Sequence, residues 1–222
     1  MTNRINACGY CRFLVCAAAV CCTLFCAAAE TISFRADRMS GKNSDAEDSS
    51  LLEGNAFIKT KDMEISADTI ELSGDDFRFI AASGTVSGKN TSSGLEFTCG
   101  SMRYDRESEI AWLEDTVHLI DTENDTVADA QIVEYNQNTD VAVLQIGVQL
   151  VQDTTTCTSE FAIYRKQQQL LEMSGNPQVV RDKDTFRAQE ITVNLDTEEI
   201  SLDGRVSGTV TDSGQESEEA SP

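Results

Sequence analysis

The strongest constraint on this chain is a repeat with a period near 30 residues. Two independent marks carry it. The first is an alternating apolar stretch that ends in a small residue and then, in most copies, a polar one, as in Ile65-Ser-Ala67-Asp68 and Phe186-Arg-Ala188-Gln189. The small residues fall at 36, 67, 99, 128, 159 and 188, at separations of 31, 32, 29, 31 and 29. The second mark, about 18 residues further on, is an apolar stretch running into Gly or Asp and often on to x-Val. It falls at Gly54, Gly84, Asp115, Gly147, Gly175 and Gly204. Units of this kind cannot bury an apolar face alone, so neighbouring copies must stack and share a core.

Each unit reads as β structure. Met63, Ile65 and Ala67 alternate with Glu64, Ser66 and Asp68, the period of a half-buried strand. Turn-forming residues recur at Ser73-Gly-Asp-Asp76, Asp105-Arg-Glu-Ser108, Gln137-Asn-Thr139 and Asp196-Thr-Glu-Glu199, where hairpins would reverse. The most helix-like window, Glu160 to Met173, is read as two strands around a polar turn, because the repeat favours it. Apolar parity switches after the small residue: Ile65 and Ala67 are followed by Ile70 and Leu72, and Phe97 and Cys99 by Met102 and Tyr104. A one-residue slip moves every later side chain to the other face. A built-in bulge or bend is expected there, carrying each strand from one sheet into a second, facing one. The predicted fold class is all-β, with repeated antiparallel strands in a twisted two-sheet arrangement.

Ahead of the repeat lies a different kind of segment. Arg4 and Arg12 precede an apolar run from Phe13 to Phe25 and small residues at Ala27 and Ala29. This is the pattern of a secretory signal peptide over residues 1–29, cleaved near Ala29 to leave Glu30 first. Its rivals are an uncleaved anchor, for which 17 residues from Phe13 to Ala29 is short, and lipidation at Cys21, Cys22 or Cys26. Phe25 before Cys26 and Val20 before Cys21 fit lipidation poorly. Six of the eight cysteines lie in this leader, so the cysteine count does not indicate a disulfide scaffold. The expected organisation is a leader, a β domain over 30–210 with a polar loop at 40–50, and a disordered acidic tail over 211–222.

Charge narrows the partners. Seventeen Lys plus Arg face 38 Asp plus Glu, a formal net charge of -21. Without the two leader arginines, 15 cations face the same 38 acids, giving -23. That field excludes nucleic acid as a partner and docking on an anionic membrane through a basic patch.

The sequence offers no catalytic constellation, and neither enzyme activity nor a cofactor is expected. The single histidine, His118, lies on the polar phase of a strand and reads as a surface residue. Asp121-Thr-Glu-Asn-Asp125 is rich in oxygen ligands but lacks the Gly and Glu of an EF-hand loop, so it reads as a solvated acidic turn. Cys99 and Cys157 would remain after cleavage. An oxidising compartment permits a disulfide between them, but they lie two units apart, and two small buried thiols are the alternative.

The inward phase of the repeat lines a gap between the expected sheets with Ile65, Ala67, Ile80, Val86, Phe97, Leu113, Val117, Val143, Leu171, Met173, Leu202 and Val206. These side chains serve equally as a closed sandwich core or as the walls of a groove for acyl chains.

Ile65-Ser-Ala-Asp-Thr-Ile-Glu-Leu72, followed after a turn by Ile80-Ala-Ala-Ser-Gly-Thr-Val86 and echoed from Ala188 to Val206, resembles the LptA/OstA family. The resemblance covers about residues 31–210. It implies a periplasmic β-jellyroll with a V-shaped cross-section that carries lipopolysaccharide or a related glycolipid from inner to outer membrane, acyl chains lying between the sheets. It further implies LptC-like inner-membrane and LptD-like outer-membrane partners, and end-to-end self-association through sheet edges. On this view the inward residues become lipid-binding. Two other readings stand beside it: a secreted structural or adhesive β-repeat protein without ligand, and an LptC-like component held by an uncleaved leader. The acidity departs from family members that place basic residues near the groove mouth; it argues against a highly phosphorylated lipid and leaves a less anionic glycolipid open.

Overall fold

The computed structural model describes residues 31–42 and 49–211; the expected leader and all but the first residue of the expected tail lie outside them. Sixteen strands form one continuous antiparallel sheet. They are β1 (Ser33–Arg35), β2 (Arg38–Lys42), β3 (Ser49–Lys59), β4 (Met63–Ser73), β5 (Phe79–Asn90), β6 (Leu95–Asp105), β7 (Ile110–Asp121) and β8 (Thr126–Asn136). There follow β9 (Val141–Gln152), β10 (Thr155–Arg165), β11 (Leu170–Ser174), β12 (Gln178–Arg181), β13 (Asp184–Arg187), β14 (Glu190–Asn194), β15 (Ile200–Asp203) and β16 (Ser207–Thr209). Residues 40–42 and 49–50 of the expected polar loop belong to β2 and β3, and 43–48 lie outside the described residues. The window read as two strands is β10 and β11, joined by a single 3-10 turn at Lys166–Gln168.

Every long strand bends at its middle. Register shifts interrupt each pairing from β3 with β4 to β9 with β10 at the sequence marks, except on β8, where the small residue at the bend is Ala130, two residues past the expected Ala128. At the chain's ends the bend breaks the strand outright, so β1/β2, β11/β12, β13/β14 and β15/β16 are each the two halves of one bent strand. Counted that way, the sixteen strands reduce to twelve, two for each of the six copies of the repeat. The two sheets expected from the parity switch are therefore two limbs of one sheet folded along a ridge.

The bend has a side-chain cause. The second mark is left-handed: φ is 73° at Gly84 and 68° at Asp115, and the next residue, Thr85 or Thr116, is left-handed too. Opposite sits the polar residue of the first mark. A Cβ on Gly84 would lie 2.3 Å from Asp68 Oδ2, so only glycine lets the carboxylate into the notch. The same fit recurs between Gly54 and Asp37, Gly175 and Glu160, and Gly204 and Gln189. It is reversed at Gly100 and Asp115.

The fourth corner differs. There the left-handed pair is Ile146–Gly147, so glycine takes the second place and isoleucine the first. A Cβ on Gly147 would touch nothing within 4 Å. Ile146 points outward, 53% exposed.

The two limbs close on each other as a wedge. The first carries Ile58, Ile65, Phe97, Leu119, Leu150 and Val179 inward; the second carries Leu52, Ile70, Ile80, Met102, Leu113, Leu144 and Ile191. All belong to one apolar cluster. Small residues (Ala56, Ala67, Ala82, Cys99, Ala130, Ala162) crowd the bend, where the limbs are closest.

Candidate functional site

The interior between the limbs is where the sequence places its candidate residues, and nine of the twelve are there. Ile65, Ala67, Val86, Phe97 and Val117 line the first limb; Ile80, Leu113, Leu171 and Met173 line the second; none is more than 7% exposed. Leu202, on the free edge strand β15, is partly buried against the same cluster. Val143 is not inward: its neighbours Ala142 and Leu144 are buried, and Val143 lies on the outer face. The cause is the shifted corner. Counting back from Gly147 puts Val143 inward, but the bend begins at Ile146, one residue earlier, and that slip flips the strand. Val206 is also outside, 57% exposed, because it precedes the edge strand β16, beyond which no strand covers it.

No disulfide joins Cys99 and Cys157: both are free, buried thiols, the second of the two readings above. They lie on β6 and β10, four strands apart, or roughly 19 Å at strand spacing, against the 7 Å or so that a bridge tolerates. Burial pushes the Cys99 thiol up to about 11 and the Cys157 thiol up to about 12, so neither is nucleophilic near neutrality.

The wedge's open end, its mouth, is built of different residues. On the second limb one row of inward positions reads Tyr104, Ala111, Tyr135, Ala142, Tyr164, each paired with the next across neighbouring strands. On the first limb the outermost inward row includes Asn90, Asp121, Thr126, Gln152, Thr155 and Arg181. Sequence reasoning missed this layer, although the tyrosines stand 31 and 29 residues apart, the repeat's own spacing.

Polar contacts bridge the limbs across the mouth. The Tyr164 hydroxyl donates to Asp121 Oδ2 at 2.9 Å. Lys166 Nζ lies 3.5 Å from Asp121 Oδ1 and also bonds Glu123. Gln152 Nε2 donates to Gln169 Oε1 at 3.4 Å, and Arg181 donates to the Glu198 carbonyl at 2.7 Å. The segment 122–125 is the solvated turn expected, with Thr122, Glu123 and Asp125 exposed, but Asp121 at the end of β7 is not part of it. Asp121 is 1% exposed and accepts the Glu123 and Asn124 amides. Burial opposes the Lys166 charge, but the Glu123 and Asp121 carboxylates outweigh it and its pKa is raised. Burial and the Asp121 carboxylate push the Tyr164 hydroxyl well above the usual tyrosine range. Among the described residues no group of three or more potential ligands could hold a metal ion. His118 sits on the outer face, its Nδ1 2.7 Å from Asp129.

Fold and interior together define a class: a single antiparallel sheet bent strand by strand into a β-jellyroll around a continuous apolar interior. The family model described as "LptA/(LptD N-terminal domain) LPS transport protein" matches residues 34–199 of the 222, and the chain belongs to that family. Among solved structures the chain is similar to LptH from Pseudomonas aeruginosa, described as the LptA homologous periplasmic component of the conserved lipopolysaccharide transport device. Identity is 10% and the TM-score 0.25, over 82% of this chain and 95% of that one. The comparison with curated proteins gave no match. No helix among the described residues is long and apolar enough to cross a membrane.

Proposed function

We propose that this chain is a periplasmic carrier that moves lipopolysaccharide or a related glycolipid between inner and outer membranes, acyl chains held between the two limbs. One observation carries the reading: two facing sets of inward apolar side chains run as one cluster through β3–β12 and β14, with the buried charges Asp105, Asp121 and Lys166 standing at its rim. Apolar burial of that kind accepts a lipid tail at about 25 cal/mol per Å². The leader delivers the chain across the inner membrane and is removed near Ala29. Among the described residues, both ends of the sheet carry strands paired on one side only, β1 and β2 at one end and β15 and β16 at the other. Such edges add strands from a partner, and they fit LptC-like and LptD-like neighbours and end-to-end self-association.

A second reading, a ligand-free structural β-repeat protein, draws on the interior being filled by its own side chains and bridged at the mouth. Photo-crosslinking separates the two. A crosslinker at Ile65 or Phe97 captures lipid in the carrier, and one at outward Glu64 does not. Crosslinks confined to Glu64, or exported protein that retains no lipid by mass spectrometry, count for the structural protein.

A further inference from the structure

We infer that the mouth of the wedge is a headgroup site built for an uncharged sugar rather than a phosphate, an inference that rests on the carrier reading above. Three observations converge there. The first is the row Tyr104, Ala111, Tyr135, Ala142, Tyr164. Tyrosines on alternate strands stand about 9.6 Å apart, twice the strand spacing. With only small alanines between them, the rings, buried in the closed wedge, are spaced to admit a pyranose once the limbs part, its C–H face against an aromatic face. The second is the polar row opposite, which supplies amides and hydroxyls from Asn90, Thr126, Gln152 and Thr155.

The third is an orphan group within that row. Asn90 is 1% exposed. Its Oδ1 accepts from the Ser92 amide, the Ser92 hydroxyl and the Ser93 amide, while its Nδ2 has no partner. A buried amide donor left unpaired is costly, and one inward on the mouth row is placed to meet a ligand acceptor. Ser93, on the same turn, is also buried, and its hydroxyl likewise has no partner.

Charge selects the ligand class. Cations around the mouth are already committed: Lys166 to Asp121 and Glu123, Arg181 to Glu198, Arg78 to Asp105 and Glu107, Arg106 to the Asp76 and Phe77 carbonyls. Asp121 and Asp140, which accepts from the Tyr135 hydroxyl at 2.6 Å, stand beside the tyrosine row. A phosphate would meet fixed carboxylates with no cation to spare, whereas a neutral polyhydroxyl group uses those same carboxylates as acceptors. Acyl chains entering the interior part the limbs, and the two rows become the rims that hold the headgroup.

The test uses delipidated exported protein and two photoactivatable lipids with identical acyl chains, monoglucosyl diacylglycerol and phosphatidic acid. The glucosyl lipid is expected to bind at least about tenfold more tightly. Asn90→Ala, which removes the orphan donor without adding charge, and Tyr135→Leu bring the ratio toward one while the crosslink at Ile65 persists, and Tyr135→Phe, which keeps the ring, retains most of the preference. Equal or tighter binding of phosphatidic acid, or a ratio that neither variant moves, overturns the headgroup site and leaves the carrier reading standing. Binding of neither lipid overturns both.

Discussion

A left-handed residue is cheap only for glycine, and the six corners of this sheet test that rule in parallel. Gly84→Ala meets two costs: about 1–2 kcal/mol for an L-residue at positive φ, and about 1–3 kcal/mol for pushing a methyl into the space of Asp68. Gly147→Ala meets only the first, because nothing approaches its Cβ position. Urea unfolding should rank them so, with Gly84→Ala the lower midpoint and the m value unchanged. Equal losses would remove the packed notch as the cause of the bend. Ile146 is the inverse case. A β-branched residue at φ 67°, 53% exposed, carries the backbone cost with little burial in return. Ile146→Asn is expected to raise stability by about 1 kcal/mol, since asparagine tolerates this conformation. A lowered midpoint would mean that the outward isoleucine is held by contacts worth more than the strain.

The turns that join the strands are pinned from neighbouring repeats, and one of them sets an acid response. Arg78, after the turn Asp75–Phe77, donates through Nε and Nη2 to Asp105 at the end of β6, at 2.8 and 2.6 Å. That bonding holds the Asp105 carboxyl well below the usual carboxylate range, against the burial that opposes it. A depressed folded pKa stabilises fully above the unfolded value near 3.9 and is lost as pH falls through the folded one. The stability difference between the natural chain and Asp105→Asn should therefore stay constant from neutrality to about pH 5 and shrink below about pH 4. A difference unchanged down to about pH 2 would remove Asp105 as an acid-sensitive group.

The bends themselves were legible in the sequence, because each needs a small residue on one strand and a glycine or aspartate on the next. The fourth corner was misread by one residue because glycine there fills the second left-handed place, although the spacing to Val148 already hinted at it: one residue after Gly147, where Val86 stands two after Gly84. The mouth was not legible. Asp121 reads as one more surface acid until the fold sets Tyr164 and Lys166, 43 and 45 positions on, against it.

At the scale of the molecule, the free edges compete with the net charge. The edge formed by β1 and β2 presents Arg35 and Arg38, while Asp203 on β15 and Glu198 and Glu199 in the turn before it stand at the opposite edge. The head-to-tail stacking proposed above would set these opposite charges facing each other and add backbone bonds between strands. Yet each body carries a formal charge of -21, or -23 without the leader, and like bodies repel over the Debye length. At 0.01 M salt that length is about 30 Å, some six strand spacings, so repulsion reaches deep into the partner. At 0.15 M it is about 8 Å, and only charges at the contact remain felt. Screening thus removes more repulsion than attraction. Sedimentation velocity at fixed protein concentration should show association rising from 0.01 to 0.15 M NaCl and changing little beyond. The chain with Arg35 and Arg38 both changed to Glu should associate less at every salt concentration. Association that instead falls steadily with salt would mean that ion pairs between the edges, and not strand addition, hold the stack together.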